Sequence, residues 1–249
     1  MKKVDYNIYS TLLNTYQNYV DAETLWSKFW GSSDDPQITV EDYCEQTRKE
    51  LIDTINRVPF DSEAADKGKA FNEVIDCLIE HRQSNKMEIV SDKNTDTIKV
   101  NFNNRTFYFP LTFCVEFSKR YDWGICQHYT SAELLTSFGT VKLYGFTDVI
   151  IPNKIIDIKV TGKYEAFKFR DSWQHKVYPY CLEQEGYVLD SFRYDVVVFG
   201  KDAPKVYEED YTYVPERDIP ELIEVCEGFI NFLNVYKSEI TDLKIFNNH

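Results

Sequence analysis

The chain has 249 residues, 43% of them hydrophobic, with 18 Tyr, 17 Phe and a formal net charge of −13. That length and apolar content suit one large domain, or two small ones, around a sizeable core, and they exclude a disordered chain. The acidic balance argues against a protein that coats polyanions nonspecifically, so any nucleic-acid contact has to be local and salt-sensitive.

The first sixty residues read as helical, with a break at GSSDDP (31–36). YNIYSTLLNTYQNYV carries apolar residues at helical spacing, and VEDYCEQTRKELIDTINRV forms a second helix ended by Pro59. SEAADKGKAFNEVIDCLIEHR predicts a third helix, with Ser62 as its N-cap. The period then shortens. MEIVS, TIKVNF and TFYFP read as short strands separated by DKNTD and NNR, and LTFCVEFSKRYD as a helix or an irregular connection. Longer strands follow near 127–137, 140–150 and 154–160, turned by SFG and IPN into an antiparallel meander. DSWQHKVYPYCLEQEG predicts a helix that ends at Gly186 despite Pro179, and YVLDSFRYDVVVFG returns to strand. EEDYTYVPERD (208–218) is acidic and aromatic and is expected away from any substrate, before a strong closing helix with acidic residues in its first turn. The expected fold is α+β or α/β, a central mixed β-sheet flanked by helices with an N-terminal helical region. One domain spans 1–249, divided into a helical part (1–60), a core (61–200) and a C-terminal strand and helix (201–249).

Six cysteines, at 44, 77, 114, 126, 181 and 226, show no C-x-x-C spacing, so neither a zinc site nor an iron–sulfur cluster is expected. MKKVDYNIYS lacks the apolar core of a signal peptide, and no run reaches the length of a membrane span. The expectation is free thiols, no membrane partner and a cytoplasmic location.

The chemistry concentrates in YGFTDVIIPNKIIDIKVTGKY, residues 144–164. Asp157 and Lys159 are two apart on a strand and project from one face, with Ile156 and Ile158 on the other. The short IPN turn brings Asp148 alongside, so the two carboxylates can converge. Buried carboxylates repel and are costly to desolvate. A hard divalent cation, Mg²⁺ or Mn²⁺, between them makes the arrangement sensible, and Lys159 can then orient or deprotonate a water or stabilise charge at phosphorus. That is the equipment of metal-assisted phosphodiester hydrolysis. A solvated D-x-K pair on an exposed strand is the bland alternative.

GFTD followed by IIDIKVTGK resembles the core of the PD-(D/E)XK nuclease superfamily, and QHKVY resembles the Q-x-x-x-Y motif of its RecB-like and lambda-exonuclease-like branches. The resemblance implies a restriction-endonuclease-like core. It also implies that Asp148 and Asp157 hold the metal with the Ile158 carbonyl, and that Lys159 assists the attacking water. Gln174 and Tyr178, one helical turn apart, would position the lysine side of the site or the scissile strand. KGKAFNEVID (67–76) resembles the helix in which RecB-like nucleases carry a metal-binding histidine; Asn72 stands at that position, with Glu73 beside it as a second candidate. IYSTLLNTYQ (8–17) resembles the family's opening helix. No iron–sulfur cysteines match those of some relatives.

Lys163, Lys168, Arg170 and Lys176 follow the motif and form the candidate phosphate-tracking groove. His128 and His175 flank the motif region, with His175 expected to face solvent or a phosphate; Glu116 could reach the site, and Trp173, Tyr178 and Tyr180 could stack on bases. The expected activity is a Mg²⁺- or Mn²⁺-dependent deoxyribonuclease, an exonuclease rather than an endonuclease, acting on linear DNA ends in recombination, repair or phage DNA processing. A recombination or single-strand-binding protein is a further partner the resemblance admits, and an oligomer is left open. The alternative is a nuclease fold retained as a noncatalytic nucleic-acid- or protein-binding module.

Overall fold

The computed structural model of the chain describes residues 3–33 and 35–247. It opens on a short strand, β1 (Tyr6–Tyr9), that runs directly into helix α1 (Ser10–Val20). This corrects the reading of residues 6–20 as one helix: YNIY is too short for a period of two to stand out against the helical period that follows. Helices α2 (Ala22–Trp30) and α3 (Val40–Ile55) come next. The expected break at 31–36 falls between them, with residue 34 outside the described residues. Helix α4 (Glu63–Ile79) begins at Ser62, whose hydroxyl accepts the Ala65 amide as the capping pattern predicts.

Strands β2 (Glu88–Asp92), β3 (Thr97–Phe102) and β4 (Arg105–Pro110) form a small antiparallel sheet. LTFCVEFSKRYD resolves into helix α5 (Leu111–Ser118) and a 3₁₀ turn. The main sheet then takes β5 (Ile125–Thr136), β6 (Gly139–Ile151) and β7 (Lys154–Thr161). After helix α6 (Gln174–Gln184) it adds β8 (Ser191–Val198) and β9 (Lys205–Tyr211), before helix α7 (Pro215–Val235). Strand β9 tolerates its acidic residues because Arg193 on β8 meets Glu208 at 2.7 Å and Asp210 at 2.9 Å.

The architecture is α+β, with a mixed central sheet flanked by helices. The sheet runs β1-β6-β7-β8-β9, with β5 also on β6. Two apolar clusters share it. Leu12, Leu51, Val177 and Phe229 pack α1, α3, α6 and α7 against one side. Phe71, Phe109 and Phe117 pack α4, the small sheet and α5 against the other. Strand β7 divides its residues between them, with Ile155 in the first cluster and Ile156 and Ile158 in the second. Among the described residues no helix is long and apolar enough to cross a membrane.

One interruption positions the site. Strand β1 pairs in parallel with Val141–Tyr144, and β7 pairs antiparallel with Val149–Ile151. Strand β5 pairs along β6 opposite both, so β1 and β7 share one edge of β6. Between them, residues 145–148 have no strand neighbour on that edge.

Candidate active site

Side chains fill this notch. At Gly145 a Cβ would stand 2.5 Å from Tyr178 Cε1, so only glycine lets the ring of α6 reach β6. Asp148, three residues on, lacks a ladder partner on both sides. One further step of the β6–β7 register would pair it with Asp157, but pairing stops at Val149 with Ile156. On the other edge the β5–β6 register passes over Gln127, which takes φ of 51°. Holding a glutamine in the left-handed region costs about 1–2 kcal/mol, and such strain gathers at functional positions.

Asp148 reaches across the gap instead. Its Oδ2 accepts the Ile158 amide at 2.8 Å and Asn72 Nδ2 at 3.2 Å. Burial pushes its carboxyl well above the usual range, and the neighbouring Asp157 charge adds to this; Lys159 and the Ile158 amide pull the other way. Asp148 thus bonds the backbone one residue beyond Asp157.

Asp157 is buried, with Oδ1 accepting Gln174 Nε2 at 2.7 Å. Lys159 Nζ lies 2.7 Å from Asp157 Oδ2, close enough for an ion pair but without the angle of a hydrogen bond. Lys159 donates to Gln174 Oε1 at 2.7 Å. The Gln174 amide thus turns nitrogen to the carboxylate and oxygen to the ammonium. Gln174 Nε2 also lies 3.4 Å from the Tyr178 hydroxyl, which accepts from Ser10 Oγ at 3.1 Å. Burial pushes the Tyr178 hydroxyl up to about 12, so it stays a phenol. Gln174 is buried and lies between Asp157 and Lys159.

Helix α4 supplies a further acidic residue, Asp76. Asn72 faces Asp148, but Glu73 turns about 100° away, as helical geometry requires. Its carboxylate meets Arg82 at 2.7 Å and Lys86 at 3.2 Å, and these cations hold it down at about 2 against its burial. Glu73 is therefore committed to its own ion pairs. Asp76, one turn after Asn72, is buried and lines a cavity of about 320 Å³ with Asn72, Gln127 and Asp148. Burial and then the Glu73 charge push its carboxyl up to about 7, against the pull of Arg82. The i, i+4 spacing from Asn72 is the signal that could have found it.

Two buried oxygens here, Asn72 Oδ1 and Asp76 Oδ1, have no hydrogen-bond donor, while Asp157 Oδ2 has the Lys159 ammonium at 2.7 Å. Each such atom costs about 1–3 kcal/mol. Hard oxygens without donors are the ligands that Mg²⁺ and Mn²⁺ take. Among the described residues no three His, Cys, Asp or Glu side chains gather closely enough to hold an ion by themselves. An ion here would therefore keep several waters, as Mg²⁺ does. Asn72 presents nitrogen to Asp148, and a half-turn of its amide would present oxygen instead.

The remaining candidates scatter. His175 is buried and stacks on Tyr211 at 4.3 Å, and burial lowers it to about 4, so it meets neither solvent nor phosphate. His128 Nε2 lies 3.1 Å from Glu185 Oε2, and exposed Glu116 pairs with Lys119. Tyr180 donates to the Glu133 carbonyl and is buried. Lys163, Lys168 and Arg170 lie in the irregular connection between β7 and α6, where Lys163 pairs with Glu165 and Lys168 donates to Thr161. Lys176 leaves this group: it pairs with Glu221 on α7 and covers the Trp173 ring at 4.6 Å.

No family model and no curated protein matches this chain. Among solved structures, the crystal structure of SSO0001 is similar over 93% of this chain and 79% of that one, with a TM-score of 0.47 and 13% sequence identity.

Proposed function

We propose that the protein is a Mg²⁺- or Mn²⁺-dependent deoxyribonuclease of the PD-(D/E)XK type. The observation that supports this reading is the notch itself, where Asp148 lines one cavity with Asn72 and Asp76 and bonds the Ile158 amide, between Asp157 and the Lys159 that pairs with it. Asp148 and Asp157 would hold the ion, with Asn72 and Asp76 lining the cavity beside Asp148 and the Ile158 carbonyl added by resemblance. When bound, the ion would supply Lewis acidity toward a phosphodiester oxygen and a more acidic water.

The chain's own residues do the rest. Lys159 is one-quarter exposed, so its ammonium reaches the solvent side of the notch. Its hydrogen bond to Gln174 and ion pair with Asp157 leave donor capacity to orient a water or meet charge developing on phosphate. Gln174 fixes both Asp157 and Lys159, and Tyr178 fixes Gln174. Lys163, Lys168 and Arg170, in the connection between β7 and α6, would follow the backbone of a bound strand. Exonuclease action on linear DNA, in recombination, repair or phage DNA processing, follows from the resemblance to RecB-like and lambda-like enzymes.

The test is incubation of linear single- and double-stranded DNA with Mn²⁺, Mg²⁺ or chelator. Metal-dependent degradation that disappears in Asp157→Ala and Lys159→Ala is expected; full activity in both variants would overturn the assignment. A second reading, a nuclease fold retained for binding alone, draws on Asn72, which turns an N–H toward Asp148. It predicts DNA binding indifferent to chelator and no cleavage under any condition.

A further inference from the structure

Four aromatic rings cross the open face of β1, β6 and β5 beside the notch. Tyr144 and Phe146 alternate on β6 with Leu143 and Gly145, and Leu143 belongs to the first core. Tyr9 stands opposite Tyr144 in the β1 register, and Tyr129 opposite Phe146 in the β5 register. The ring centroids step across the strands at 5.9 Å from Tyr9 to Tyr144, 6.3 Å from Tyr144 to Tyr129 and 5.3 Å from Tyr129 to Phe146. Phe146 is 55% exposed and Tyr129 43%, so their rings are open to a ligand.

This shelf borders a cavity of about 370 Å³ lined by Tyr9, Ser10, Arg57, Tyr144, Phe146 and Tyr178, among others. Its floor joins the reactive centre, because Ser10 and Gln174 both meet the Tyr178 hydroxyl and Gln174 holds Asp157. Phe146 precedes Asp148 by two residues, about 7 Å along a strand.

We infer that the shelf and its cavity bind the unpaired bases of a single-stranded DNA end and deliver that end to the Asp148–Asp157 notch. The inference rests on the nuclease reading above for the meaning of the notch. Its own support is the chemistry of the shelf. Flat π faces on an open sheet match the faces of unpaired bases, which a duplex hides in its stack. Charge beside the shelf is sparse. Arg57 is paired with Asp242 at 2.9 Å, and the Lys142 ammonium lies 5.6 Å from the Tyr129 ring centroid, where it can meet one phosphate. Stacking should therefore supply most of the binding, and affinity should depend weakly on salt compared with a phosphate-clamping groove.

The experiment measures fluorescence anisotropy of a labelled short oligothymidylate and of a blunt duplex, with the full chain in chelator so that nothing is cleaved. Tyr129→Ala/Phe146→Ala is compared with Tyr129→Phe, which keeps the ring, and circular dichroism verifies that each is folded. Loss of oligothymidylate affinity by about 10–100-fold in the double variant, with duplex binding held within about threefold, is expected from two lost stacking contacts. Tyr129→Phe should bind as the parent does. Unchanged oligothymidylate affinity, a parallel loss on duplex, or no oligothymidylate binding by the parent overturns the inference. If metal-dependent cleavage persists while any of these holds, only the shelf fails. If the shelf governs binding but no metal supports cleavage, the shelf stands and the nuclease reading fails.

Discussion

Gln174 donates to Asp157 Oδ1 at 2.7 Å through one end of its amide, while the other end accepts Lys159 at the same distance. A single buried side chain thus sets the separation of the carboxylate and the ammonium. Gln174→Ala leaves Asp157 Oδ1 without a donor, at a cost in stability of about 1–3 kcal/mol by denaturant titration. Cleavage should fall further than stability accounts for, about 100-fold in kcat with little change in KM, because the reacting groups lose their positions. Equal kcat in the two proteins would remove Gln174 from the mechanism. Gln174→Glu sets a carboxylate beside Asp157 and should lose stability at neutral pH and regain it on acidification.

Gly145→Ala tests the approach of Tyr178 to β6. The added methyl meets Tyr178 Cε1 at 2.5 Å and must displace the ring. Destabilisation of about 1–3 kcal/mol is expected, and Tyr178→Leu in the same chain should recover part of it. A Gly145→Ala protein as stable as the parent would show that the ring does not need this gap.

How far the sequence revealed the site can be judged residue by residue. Period-two alternation placed Asp157 and Lys159 on one face of β7, and the short IPN turn brought Asp148 to them. Helical spacing put Gln174 and Tyr178 together. The same spacing ties Asp76 to Asn72, but adjacency to Asn72 drew attention to Glu73, which Arg82 and Lys86 engage. Strand β1 was illegible because four residues carry no period of their own. The notch depends on where β1 and β7 stop pairing with β6, a tertiary property that no local pattern records. Lys176 was misplaced because its charge suggested phosphate, whereas Glu221, 45 positions away, takes it.

Mn²⁺ should raise the melting temperature, since an ion that binds only the folded state stabilises it by mass action. Asp148 and Asp76 carry raised carboxyls, so protons compete with the ion, and the increment should grow from pH 6 to pH 8. Asp148→Ala should abolish the increment, and Asp76→Asn should reduce it without lowering metal-free stability. Identical increments in all three proteins would place the ion elsewhere.

His175 gives the fold a separate acid sensitivity. Burial lowers its imidazole from 6.5 to about 4, with Lys176 and Arg217 adding to this and Asp218 opposing it. The unfolded chain therefore takes the proton more readily. The contribution is complete above pH 6.5 and is lost as pH falls toward about 4. About 2–3 kcal/mol should disappear over that window in the parent, and the slope should flatten in His175→Phe, which keeps a ring against Tyr211. An unaltered slope in the variant would assign the sensitivity to other groups.

The most direct test separates holding the ion from using it. Lys159 is not among the proposed metal ligands, so Lys159→Ala should bind Mn²⁺ by calorimetry much as the parent does. Its rate on linear DNA should nevertheless fall by about 10²–10³-fold, the scale of losing one charge-stabilising donor. Mn²⁺ binding retained with hydrolysis lost is the predicted result; hydrolysis undiminished in Lys159→Ala would contradict the nuclease site.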